Sequence, residues 1–156
     1  MSVLAPVTQA TPLQTDAEVA ALVTAFDAAT VPREAWTHAA HLTVAVAYIQ
    51  RHSPGALDAL RAGIGRLNAV HGTVQTESGG YHETLTVFYT WAVAREVARA
   101  PMGLGPAELA QRVVLALADR TIPLGYWSRP RLMSWAARMG WVEPDVRPLE
   151  AGPAHE

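Results

Sequence analysis

A chain of 156 residues and 16.7 kDa, half of it hydrophobic and 17% charged, fits one domain with a sizeable core and excludes a disordered protein. The net charge of −2, with all twelve cationic side chains arginine and none clustered, gives no footprint for nucleic acid or an anionic membrane. Without cysteine there are no disulfides, thiolate metal ligands or Cys nucleophiles.

Residues 1–14, with Pro6 and Pro12, suit a mobile leader. They lack the basic and long apolar regions of a signal peptide. No run of about eighteen apolar residues occurs, so the expected location is cytoplasmic. Thr15 and Glu18 form a capping box before Val19, Leu22, Val23 and Phe26, predicting a first helix over about 16–29. After Val31-Pro32-Arg33, Thr37 is placed to cap a second helix over about 38–52. There His38, His41, Ala45, Tyr48 and His52 make one stripe, and Leu42, Val46 and Ile49 its apolar neighbour.

Ser53-Pro54 reads as an N-cap and first helical proline for a third helix over about 54–71, ended by Gly72. Gly72 to Gly80 is the most turn-like stretch and leads into Tyr81-His82, where a fourth helix is expected over about 81–98. A fifth helix, over about 106–120 behind Pro106, reads as structural. Beyond Thr121 the chain is aromatic and broken by prolines, which predicts a short sixth helix near 129–138 and then a packed strap. Residues 150–156 suit a flexible tail. The fold expected over 15–149 is therefore all-α: an irregular bundle of about five main helices with a short sixth and an extended C-terminal strap.

Trp36-Thr37-His38-Ala39-Ala40-His41-Leu42 carries the chemistry. Positions three apart share a helix face, so His38 and His41 can address one object. His82 can join them across the bundle and complete three nitrogens suited to Zn, Cu, Ni or Fe. The adjacent residue, Glu83, points about 100° away on a regular helix and is assigned as general base, outer-shell partner or fourth ligand, although an acid in the first turn also suits the helix dipole. Tyr48 and Tyr81 can supply hydroxyls to the site. Trp36 and Tyr126 are candidate walls, and Arg129 and Arg131 could grip a carboxylate or phosphate on a substrate or hold the strap through Glu143 or Asp145.

Trp-Thr-His-Ala-Ala-His-Leu, Tyr-His-Glu-Thr-Leu-Thr, Tyr-Trp-Ser-Arg-Pro-Arg-Leu-Met-Ser at 126–134 and Trp-Val-Glu-Pro-Asp-Val-Arg-Pro-Leu at 141–149 together resemble an uncharacterised family of small bacterial all-helical proteins. The resemblance runs from about Thr15 to Leu149 and implies that the His pair, the Tyr-His-Glu-Thr start and the strap belong to one site. It carries no reaction. Trp127 stands where the family pattern has an aromatic hydroxyl, and Val146 where it has Leu.

Three functions follow from these residues. In the leading one, His38, His41 and His82 hold a divalent transition metal, Glu83 assists proton transfer, and the substrate is a small molecule; no organic cofactor is indicated. In the second there is no metal: His41 or His82 is a general base tuned by Glu83, with Arg129 or Arg131 anchoring an anionic substrate. In the third the helices enclose a small ligand without turning it over. A homodimer is compatible with each.

Overall fold

The second helix is the axis of the molecule, and its composition shows why. In His-Ala-Ala-His-Leu-Thr-Val-Ala-Val-Ala-Tyr-Ile-Gln-Arg-His the apolar and small residues run nearly all the way round, and such a helix is stable only when covered on most sides. In the computed structural model, which describes residues 14–150, this helix buries Ala40, Leu42, Thr43, Val44, Ala45, Val46 and Tyr48. The helices are α1 (Asp16–Asp27), α2 (His38–His52), α3 (Ala56–His71), α4 (Glu83–Arg99), α5 (Pro106–Leu117), α6 (Arg129–Leu132) and α7 (Trp135–Met139). Short 3-10 turns lie at Arg33–Ala35 and Ile122–Gly125. α2 packs against α1, α3, α4 and α5, and among the described residues there is no strand. The expected leader over 1–14 and tail over 150–156 lie, apart from residues 14 and 150, outside the described residues. Among the described residues no helix is long and apolar enough to cross a membrane.

The caps act as the sequence suggests at three ends. Thr15 Oγ1 accepts from the Glu18 N–H at 3.1 Å, and Thr37 Oγ1 from the Ala40 N–H at 3.2 Å. Gly72 closes α3 in the left-handed conformation, at φ 66°, which costs glycine least. Other boundaries differ: α4 starts at Glu83 and α5 ends at Leu117, three residues early. Ser53 does not open α3; its N–H bonds to the Ile49 carbonyl and completes α2, and α3 starts after Gly55. The single helix expected near 129–138 is two, because the Ser134 hydroxyl accepts from the Ala137 N–H and starts α7 afresh.

Phe26, fully buried, joins α1 to α2 and α3. Its ring stacks on Trp36 with centroids 5.2 Å apart and meets the edge of Tyr48 at 5.3 Å. α3 fits against this ring only because residue 63 is glycine: a Cβ there would lie 2.4 Å from Phe26 Cε1. The strap is packed, as expected. Trp127 is fully buried and its indole N–H donates to the Val142 carbonyl at 2.9 Å. Ser128 donates from its backbone N–H and its hydroxyl to the two oxygens of Asp145, at 2.7 and 2.6 Å. Thr84, buried in α4, donates to the Gly140 carbonyl at 2.8 Å and accepts from the Val142 N–H at 3.3 Å, fixing the strap across the start of α4.

Candidate functional site

Between the N-terminal ends of α2 and α4, and bordered by α3, the stretch after α5 and α6, lies an open-mouthed cavity of about 720 Å³, the size of a small-molecule site. Leu42, Leu60, Ile64 and Leu85 make its apolar wall; Trp36, His38, His41, Tyr81, His82, Tyr89, Arg120 and Arg129 bring the chemistry. Three histidines thus reach one cavity, as the spacing suggests, but they are engaged to very different degrees.

His82 is fully committed. It is not on the first turn of α4 but is its N-cap: Nδ1 accepts from the Leu85 N–H at 3.1 Å, and Nε2 donates to the Leu132 carbonyl at 2.8 Å. These partners assign the neutral Nε2–H tautomer. Burial, helped by the charge of Arg138, keeps its pKa below the ordinary value, against the pull of the Leu132 carbonyl. A metal could use this imidazole only by breaking one of the two bonds. His38 is half committed. Nε2 donates to the Leu117 carbonyl at 2.9 Å, satisfying one of the orphan acceptors at the end of α5, while Nδ1 keeps its lone pair. His41 has neither ring nitrogen bonded by the protein among the described residues. Its ring stacks on Trp36 at 3.9 Å. Burial first, then the neighbouring His38 and Arg120, push its pKa down to about 4, so it is uncharged at neutral pH.

The other expected residues divide. Trp36, Tyr81 and Arg129 line the cavity as the sequence suggests. Tyr81 is held there from both sides. The side chain of Gln75 clamps its backbone N–H and carbonyl, each at 2.9 Å, and its hydroxyl donates to Glu83 at 3.0 Å. Burial and Glu83 together raise the phenol to about 12. Glu83 itself is not a cavity residue. Its carboxylate takes Arg61 Nε at 2.8 and 3.0 Å, tying α4 to α3. Tyr48 lies further down α2, outside the cavity, where its hydroxyl donates to Asp27; it locks α1 to α2. Tyr126 packs on Phe88 and carries Arg147 over its ring at 4.4 Å, again away from the cavity. Arg131 donates to the Glu143 carbonyl at 2.6 Å and holds the strap, the structural role expected as the alternative to substrate binding. Among the described residues no three of His, Asp and Glu are grouped so as to hold a metal ion.

Three residues in or beside the site escape sequence reasoning. Arg120 and Tyr89 line the cavity, brought there by the end of α5 and by the face of α4 one turn beyond Thr86. Arg138 is buried in α7 and its Nη1 reaches the Gly80 and Tyr81 carbonyls at 3.2 and 3.4 Å, fixing the approach to His82. The only sequence signal for Arg120 is a cation in the last turn of the fifth helix expected over about 106–120, which ordinarily means no more than a favourable dipole. Comparison of the chain with protein-family models, curated proteins and solved structures finds no match.

Proposed function

We propose that the protein is a small-molecule enzyme in which His41 moves the proton, without a metal. The observation that carries this is the graded engagement of the three imidazoles: His82 has no free nitrogen, His38 has one, and His41 has two, facing a cavity of about 720 Å³. A catalytic base must reach the proton it takes; His82 can do so only by dismantling a helix end, whereas His41 has both nitrogens free of protein partners among the described residues. The stack on Trp36 holds its ring plane, and His38 beside it offers a second nitrogen to hydrogen-bond the reacting group. The expected setting is the cytoplasm, in keeping with a cysteine-free chain.

The test is incubation of untagged protein in deuterium oxide with a panel of charged and uncharged carbonyl compounds and esters, followed by mass spectrometry for gain of a deuteron or for cleavage by water. Turnover by the wild type that vanishes in a folded His41→Gln variant and survives in Tyr48→Phe is expected. Equal turnover in His41→Gln would remove His41 from the mechanism. Retention of an unchanged ligand without turnover would favour a binding module. A second reading, a divalent metal on His38 Nδ1 and His41, rests on the free nitrogen that each presents to the same cavity. Elemental analysis of untagged protein and of His41→Gln separates the two readings.

A further inference from the structure

Most of the twelve arginines have protein partners. They are carboxylates, as for Arg61 and Glu83, backbone carbonyls, as for Arg131 and Glu143, or a ring, as for Arg147 and Tyr126. Among the described residues Arg120 and Arg129 have no such partner, and both line the cavity. None of the cavity residues is Asp or Glu. Two acids lie beside this surface and both are engaged: Glu83 is taken by Arg61 and the Tyr81 hydroxyl, and Asp119, whose charge acts on Tyr89, accepts through Oδ1 from the N–H and hydroxyl of Thr121 at 2.8 and 2.7 Å. Two guanidinium groups without counter-charge, at the edge of a pocket with an apolar wall and no acid, form a surface that favours a negative ligand. Arg120 follows the end of α5, close enough to act on both His41 and Tyr89, and Arg129 opens α6, whose Leu132 carbonyl holds His82. The cations therefore flank the cavity on its His41 and His82 sides.

We propose that Arg120 and Arg129 are the anion anchors of this pocket and that its substrate is a small organic oxyanion, an apolar body carrying a carboxylate or phosphate group. The inference rests on the pocket being the active site proposed above. The oxyanion sits at the rim with the guanidinium groups, its apolar body lies along Leu42, Leu60 and Leu85, and the reacting atom is thereby delivered beneath His41.

The test is calorimetric titration of the full chain with benzoate, phenyl phosphate and uncharged benzamide, in the wild type and in Arg120→Gln, Arg129→Gln and Arg112→Gln. All three substitutions are at exposed positions. Arg112 also has no partner among the described residues but lies outside the cavity, which makes it the control. One or both anions are expected to bind and benzamide not to. Arg120→Gln and Arg129→Gln should each weaken the anion about tenfold, and Arg112→Gln should leave it unchanged. The stronger of benzoate and phenyl phosphate identifies the oxyanion. Binding of benzamide as tight as benzoate, absence of binding by either anion, or undiminished binding in both cavity variants would overturn the proposal. His41→Gln is expected to keep anion binding while losing turnover. Anion binding without any turnover therefore sinks the chemistry of His41 and leaves the anchors, whereas undiminished turnover in Arg120→Gln and Arg129→Gln sinks the anchors and leaves the chemistry.

Discussion

Burial keeps His41 neutral, and this ties the stability of the fold to pH. In the unfolded chain the imidazole takes its proton near 6.5; in the folded protein it does so at about 4. Its contribution is thus fully present above pH 6.5 and is lost as the pH falls through 6.5 toward 4. A difference of this size is on the order of 3 kcal/mol. His38 and Arg120 are the groups that act on it electrostatically. His82, also lowered by burial, acts in the same direction, so the informative quantity is the difference between wild type and His41→Gln. Denaturant unfolding at pH 7 and pH 4.5 should show the wild type losing on the order of 2 kcal/mol more than the variant; parallel losses would mean that His41 is not buried as neutral base. His82→Ala should behave quite otherwise. It removes a cap and a strut at once and should cost about 2 kcal/mol at pH 7, with or without chelator. His82→Asn, which can still cap α4, should recover about half of that. A destabilisation seen only when metal is present would instead make His82 a ligand.

At the scale of helices, the close approach of α3 to α1 depends on one missing methyl group. In an exposed helix Gly→Ala stabilises by about 1 kcal/mol. Here the new Cβ of Gly63→Ala would run into the ring of Phe26, which is fully buried between Trp36 and Tyr48 and has nowhere to turn. The expected result is a net loss of about 1–3 kcal/mol by thermal or denaturant unfolding, with weaker ligand binding as Trp36 shifts; a gain in stability would show that the α1–α3 contact is loose. The same scale shows what could be read from sequence. The starts of α1 and α2 and the end of α3 were legible because Thr15, Thr37 and Gly72 act on residues within four positions of themselves. The start of α3 was not, because the Ser53 N–H serves α2 and α3 begins after Gly55 with no side-chain cap. The break between α6 and α7 rests on Ser134, one hydroxyl inside a stretch of good helix formers.

At the scale of the whole molecule, the site is legible only as far as local geometry reaches. That His38 and His41 share a face follows from their spacing, and the all-α bundle follows from the periodicities. The division of labour among the histidines does not. The Leu132 carbonyl that occupies His82 lies fifty positions along the chain, and the Leu117 carbonyl that occupies His38 lies seventy-nine. Glu83 is taken by Arg61 from α3, and Tyr48 by Asp27 from α1, partners no motif announces. Arg120 reaches the cavity only because the end of α5 packs beside the start of α2. The long-range folding of the bundle thus engages the three histidines to different degrees and leaves Arg120 and Arg129 without protein partners among the described residues at the same cavity.

The claim that His41 is the working imidazole and His82 a structural one is tested most directly by the ring-nitrogen NMR spectrum of the three cavity histidines, taken from pH 3.5 to 8 with and without zinc and benzoate. The expected result is a His82 fixed in the Nε2–H tautomer and indifferent to zinc, with a His41 that titrates near 4 and shifts when benzoate enters. A His82 that loses its Nε2–H or its Nδ1 acceptor bond on addition of zinc, beside a His41 that titrates near 6.5 and ignores benzoate, would contradict it.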